Sequence, residues 1–341
     1  MSEKLLRVEN LRVSYHTYAG EVQAVRGVSF ELDQGETLAL VGESGCGKSV
    51  TARSLMRLNK VPPAEIKPES NVLFQGQNIY QFDAARLGRY RGQDAAMIFQ
   101  DAMAALNPTM TIGRQVVETL LHHQALSKKA AREQVRILLR QVGISEPDRR
   151  FGQYPHELSG GMRQRVMIAM AFANQPRLLI ADEPTTALDV TIQAQIIDLM
   201  KELQQAHQTA VIMITHDLGV VANLAQKIAV MYAGTIVERG SSREIFYRPR
   251  HPYTNMLLEA VPRLDQPEDK ELASIAGTPP DLLNPPPGCP FCSRCRYCMD
   301  ICLKERPPVY QFEPDHQADC WLYALDKPAA DAPFTRRNDH E

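Results

Sequence analysis

Gly42-Glu43-Ser44-Gly45-Cys46-Gly47-Lys48-Ser49 directly follows the apolar run TLALV (37–41) and opens the helical pattern SVTARSLMRL (49–58). It fits G-x-x-x-x-G-K-[ST] at every fixed position and has the strand before it and the helix after it that such a loop requires. Glycines let the backbone wrap closely around phosphate, so that successive N–H groups and the positive end of the following helix face the anion. Lys48 is expected to neutralise β- and γ-phosphates and Ser49 to ligate Mg²⁺, with Gly42 through Val50 forming the nucleotide-contacting stretch. Cys46 occupies a variable position and reads as a small tolerated residue, not a nucleophile. A Gly-rich turn with no ligand is the competing reading, and the Lys-Ser pair between correct flanks weighs against it.

Outward from that loop, LLIADEPT (178–185) places Asp182 and Glu183 at the end of a run apolar enough for a central strand. In an open α/β sheet, ligands sit at those carboxyl ends. Asp182 is expected to hold Mg²⁺, usually through water, and Glu183 to orient or deprotonate the water that attacks the γ-phosphate. TAVIMITHD (209–217) carries His216 just past another strand, where it can contact the γ-phosphate. AMIFQ (96–100) ends in Gln100, whose amide can donate and accept and so join metal to attacking water. Solvated carboxylates, a structural histidine and a polar strand end are the plain alternatives.

ELSGGMRQR (157–165) sets Ser159, Gly160 and Gly161 immediately before the helical run 162–173. This is a second anion site at a positive helix end, although Ser159 could serve only as a cap. One nucleotide already enclosed by residues 42–49 has no need of it, so a second molecule is the natural donor of its phosphate.

The rest of the 341-residue chain fits a frame of about two domains. With 44% apolar and 23% charged residues it can bury a core, which excludes wholesale disorder. A net charge of -2 argues against a surface built for nucleic acid. No apolar stretch approaches the roughly 18 residues of a membrane span, and MSEKLLRVENLRV lacks a secretory pattern, so a cytosolic chain is expected. Strand-like runs at 37–41, 96–99, 178–181 and 210–214 alternate with helical patterns, which reads as an α/β domain with a largely parallel sheet. Before it, 5–8, 12–15, 22–25 and 28–32 suggest short antiparallel strands around Gly20 and Gly27. Helical spacing of Val116, Val117, Leu120, Leu121, Val135, Leu138, Leu139 and Val142 marks a helical insertion. Of 23 prolines, 12 lie beyond residue 262, which places a boundary near 263; the residues from about Ala329 read as a frayed tail.

Taken together, these motifs resemble the ATP-binding subunit of an ATP-binding-cassette (ABC) transporter over roughly residues 5–262. Residues 42–49 are similar to Walker A, Gln100 to the Q-loop, LSGGMRQR to the signature, LLIADEP to Walker B, Ala187-Leu188-Asp189 to the D-loop and His216 to the switch histidine. The resemblance implies an α/β P-loop (RecA-like) ABC nucleotide-binding domain over 1–262, with an antiparallel β subdomain and a helical subdomain at about 101–165. It also implies that two such domains pair head to tail, each signature completing the other's ATP site. The pair would be a heterodimer with a second ABC ATPase, or a homodimer, on two transmembrane permease subunits at the cytoplasmic face of the membrane. Gln100 would be the hinge of the helical insertion, and Tyr15, with Tyr18 close by, the aromatic stacked on adenine.

RHPYTNMLLEAVP (250–262), the Pro-rich stretch and the clustered cysteines resemble the oligopeptide and dipeptide permease subgroup, with residues 263–341 as its Cys-rich extension. Five of the seven cysteines fall between Cys289 and Cys302, a density that in a reducing compartment suggests metal ligation before disulfides. By resemblance, Cys289, Cys295, Cys302 and Cys320 would hold a [4Fe–4S] cluster, which suits four soft thiolates. Cys292, Cys295, Cys298 and Cys302 also fit a ferredoxin-like run, and zinc accepts the same sulfurs. The implied function is ATP hydrolysis driving import of di- or oligopeptides, delivered by an extracytoplasmic binding protein, with no nucleic-acid partner. The alternatives are a soluble cassette ATPase acting on nucleic acid or ribosomes, and an importer of nickel, glutathione or antimicrobial peptides.

Overall fold

The structure, a computed structural model, describes residues 4–186, 188–261 and 275–324. Ala187 of the D-loop stretch, the boundary near 263 and the tail from about Ala329 lie outside the described residues. The chain forms two compact units: Met1–Leu6, Leu32–Thr37 and Phe74–Ile214 make the first, and Arg7–Glu31, Leu38–Leu73 and Thr215–Glu341 the second.

In the first unit, strands Ala95–Ile98, Leu178–Asp182 and Ala210–Ile214 run parallel, with Ala95 beside Leu178 and Leu178 beside Ala210. All ten residues of the latter two strands are buried, as a parallel sheet covered on both faces demands. The helical insertion contains the helices Ile112–His123 and Lys128–Gln141. Ser127 ends the intervening loop by accepting the Ala130 N–H at 3.2 Å, and Val135, Leu138 and Leu139 of the second helix are buried. Helix Gly160–Phe172 packs on both of these helices and on strand Ala95–Ile98.

In the second unit, the amino-terminal region is a hairpin of two long strands, Leu6–Thr17 and Gly20–Leu32. Where the sequence suggests four short strands, the second strand instead continues through Gly27, and the chain reverses only at Tyr18-Ala19. A two-residue loop is enough to join antiparallel strands. Ala64–Ile66 pairs antiparallel with the first of them, Val13 facing Ile66.

The same unit contains strand Thr37–Val41 from Leu38 onward, parallel to Lys227–Tyr232, which pairs antiparallel with Thr235–Ser241. The carboxyl-terminal segment joins this sheet: His316–Asp319 pairs with Thr235–Ser241, and Val309–Glu313 adds outside it. Val41, Val230, Tyr232, Tyr253, Phe291 and Cys302 are buried in one cluster. The Cys-rich extension and the strand leading into residues 42–49 therefore share a core. No helix of the described residues is long and apolar enough to cross a membrane.

Candidate functional site

Residues 42–49 form a tight loop that turns into helix Lys48–Leu55 at Gly47, whose φ is 101°. A Cβ at Gly47 would lie 2.4 Å from the Ala24 carbonyl, and one at Gly42 2.2 Å from that of Met231, so neither position admits a side chain. Lys48 is buried, and its Nζ donates to the Gly42 carbonyl at 2.7 Å and the Glu43 carbonyl at 2.8 Å. Its charge is thereby held at the mouth of a loop whose Ser44 and Gly45 are exposed. Cys46 is buried and burial pushes its thiol pKa up, which agrees with an inert packing role. Ser49 and Val50 are half-buried on the first turn of the helix.

The loop is also held from the carboxyl-terminal side. The Glu43 N–H donates to the Tyr253 hydroxyl at 2.9 Å, and the Glu43 carboxylate receives both arms of the Arg294 guanidinium at 2.6 and 2.9 Å. Sequence reading missed Arg294. It lies 251 residues from Glu43, and only the neighbouring cysteines mark its segment out.

In the first unit, Asp182 is buried at the end of its strand. Glu183 then takes a left-handed φ of 49°, its N–H donating to the Ile214 carbonyl at 2.9 Å. A strained φ at a non-glycine residue marks a position whose side-chain direction is over-determined by its surroundings. The Glu183 carboxylate accepts from Gln100 Nε2 at 2.8 Å and from Thr186 Oγ1 at 2.9 Å. Gln100 and Glu183, 83 residues apart, are thus brought together. This couples the residue expected to act on water to the one expected to begin the helical insertion.

Ser159 stands at the N-terminus of helix Gly160–Phe172 and accepts the Met162 N–H at 3.3 Å, so it caps its own helix. It remains exposed, and Gly160 and Gly161 are half-exposed behind it, which leaves N–H groups at a positive helix end open to an anion. His216, in the second unit, is exposed just before Asp217, which caps helix Leu218–Leu224 through the Gly219 N–H at 2.8 Å. The Tyr15 hydroxyl donates to Asn59 Oδ1 at 3.1 Å, while Tyr18 is fully exposed at the hairpin turn.

Cys289, Cys292, Cys295, Cys302 and Cys320 line one pocket, walled by Phe291 and Trp321. Cys298 is absent from that lining and is exposed, which counts against a ligand run that includes it. Burial and the neighbouring thiols raise the Cys289 pKa to about 12, and burial, again with neighbouring thiols, raises that of Cys320 to about 12. Soft donors crowded in a largely apolar pocket suit a thiophilic metal or cluster, whose charge would favour the thiolates. Among the described residues, however, no group of three or more His, Cys, Asp or Glu is arranged to hold a metal ion. The donor set fits such a group by its chemistry and not by its arrangement.

A family model described as ABC transporter matches residues 25–186, and one described as oligopeptide/dipeptide transporter, C-terminal region, matches residues 237–302. The chain is 53% identical over 330 residues to the oligopeptide transport ATP-binding protein OppD of Bacillus subtilis (strain 168), covering 97% of this chain and 92% of the relative. It is 55% identical over 321 residues to the dipeptide transport ATP-binding protein DppD of the same organism, covering 94% and 95%. Among solved structures, it is similar to the ATP-binding cassette MJ0796 in a dimeric post-hydrolysis state bound to ADP and Pi. That match has a TM-score of 0.62 and 27% identity, and spans 70% of this chain and 99% of the other.

Proposed function

The chain belongs to the ATP-binding proteins of ABC transporters, in the oligopeptide and dipeptide branch, and from that premise we propose that it hydrolyses ATP to drive import of di- or oligopeptides. The observation that carries the reading is that the likeness runs through the Cys-rich extension as well as the cassette. Extension and phosphate loop also share one core. Residues 1–262 are the cassette in this account and 263–341 the extension.

In the proposed reaction, Gly42 to Val50 enclose the phosphates, Lys48 neutralises them, and Ser49, Asp182 and Gln100 hold Mg²⁺. Glu183 accepts the proton of the attacking water, and His216 contacts the γ-phosphate. Ser159, Gly160 and Gly161 complete the site of a second, homologous cassette, as the dimeric relatives suggest. Tyr15 stacks on adenine, with the exposed Tyr18 as its rival. The paired cassettes act on two permease subunits, peripheral to the cytoplasmic face of the membrane. Cys289, Cys295, Cys302 and Cys320 hold a [4Fe–4S] cluster in this account; it is supported by their shared pocket, and zinc is the competing occupant.

Two measurements test this function. Affinity purification in detergent is expected to recover hydrophobic permease subunits, and cells whose only copy carries Glu183→Gln are expected to lose uptake of a labelled oligopeptide. Recovery of nuclease-sensitive partners, with uptake intact, would overturn the reading.

A further inference from the structure

Arg294 lies between Cys292 and Cys295, yet its side chain is only 3% exposed and reaches out of the extension into the phosphate loop. Its Nη1 donates to Glu43 Oε2 at 2.6 Å and to the Tyr232 hydroxyl at 3.2 Å. Its Nη2 donates to Glu43 Oε1 at 2.9 Å and to the Ile275 carbonyl at 3.1 Å. Nε donates to the Ala276 carbonyl at 2.9 Å. Each of the five guanidinium N–H donors is used, and the two that meet Glu43 form a bidentate fork.

Glu43 is held at every polar group. Its carboxylate is on Arg294, its N–H on Tyr253 and its carbonyl on Lys48 Nζ at 2.8 Å. A single loop residue therefore connects the extension to the lysine that faces phosphate. The charge arrangement has a consequence for an anionic ligand. A carboxylate within a phosphate-binding loop repels a triphosphate unless a cation neutralises it, and Arg294 supplies that cation from a largely dry position.

We propose that Arg294 is a positioning residue for nucleotide: it neutralises and orients Glu43, so that the affinity of residues 42–49 for ATP depends on the folded Cys-rich extension. This rests on the reading of that loop as the nucleotide site. The extension is then a working part of the ATP site as well as a packed appendage. Local chain order at Cys292 and Cys295 reaches the phosphate loop through Arg294, one of the two residues between them.

Binding of a fluorescent ATP analogue with Mg²⁺ to the full chain tests the proposal, with hydrogen exchange of the loop amides as a second readout. Arg294→Gln is expected to weaken binding about tenfold by leaving Glu43 uncompensated. Arg294→Lys, which keeps the charge and loses the fork, is expected to fall in between. Adding Glu43→Gln to Arg294→Gln is expected to restore affinity in part, because the repelling charge is gone while the loop stays unheld from the extension. Glu43→Gln alone changes no residue of the extension and is expected to speed exchange at the loop amides, an outcome that does not depend on whether Arg294→Gln folds. In the assembled transporter, Arg294→Gln is expected to raise KM for ATP and leave kcat nearly unchanged. Unchanged affinity in Arg294→Gln, no rescue by the second substitution, or unchanged loop exchange in Glu43→Gln overturns the proposal. Lys48→Ala separates the two readings: if it binds the analogue normally, the nucleotide assignment of the loop fails instead.

Discussion

Gln100 donates its amide to the carboxylate of Glu183 at 2.8 Å, across the ends of two neighbouring parallel strands. The contact fixes one oxygen of Glu183, Oε2, which Thr186 also grips.

Glu183→Gln is expected to retain ATP binding and lose turnover by on the order of 10² or more, since general-base catalysis contributes at least that factor. Gln100→Ala should lower turnover by less, because it frees the carboxylate without removing it, and should weaken the hold on Mg²⁺ in which Gln100 is proposed to share. Steady-state ATPase assays on the assembled transporter, paired with nucleotide binding on the same preparations, distinguish the two. Near-normal hydrolysis by Glu183→Gln would remove that residue from the mechanism.

Phe291→Ala should destabilise the second unit by about 3–5 kcal/mol, the usual result of emptying a buried aromatic site. The ring is fully buried and lies 5.2 Å from Tyr232 and 5.3 Å from Tyr253, both close to the phosphate loop. Denaturant unfolding would give the loss directly, and a drop in nucleotide affinity at temperatures where the variant is still folded is expected to accompany it. A surface-like loss below about 0.5 kcal/mol would contradict the shared core.

Cys298→Ser is expected to leave bound metal unchanged and Cys302→Ser to abolish it, because only the latter sulfur lines the common pocket. Anaerobic purification followed by elemental analysis and visible absorption measures this. Iron with a visible band supports a cluster. Stoichiometric zinc in a colourless protein would assign the site to zinc, and loss of metal in Cys298→Ser would restore the ferredoxin-like run.

Much of this architecture is legible in the sequence because it is local. TLALV, LLIAD and AVIMI are strands, and Gly47 opens a helix, because burial pattern and backbone demands are written within a few residues. The hairpin was harder. Gly27 looked like a turn, but a strand can carry a glycine with positive φ without ending, and cross-strand pairing decides which. The left-handed φ of Glu183 leaves no mark in its neighbours' chemistry. Arg294 and Glu43 meet over 251 residues, and the spacing of Cys298 satisfies a ligand run from which its exposure separates it. Contacts of that range are set by the packed core, and no periodicity reports them.

In the proposed pair, a nucleotide held by residues 42–49 of one cassette is closed by Ser159 of another. Sedimentation of the Glu183→Gln chain with its partner ATPase, or with itself, measures this with and without Mg-ATP. Nucleotide is expected to drive a one-to-one pair, and adding Ser159→Arg to abolish the pair while each chain still binds ATP. A pair that forms equally well with Ser159→Arg, or an unmodified monomer that hydrolyses ATP as fast as the assembled transporter, would contradict this closure.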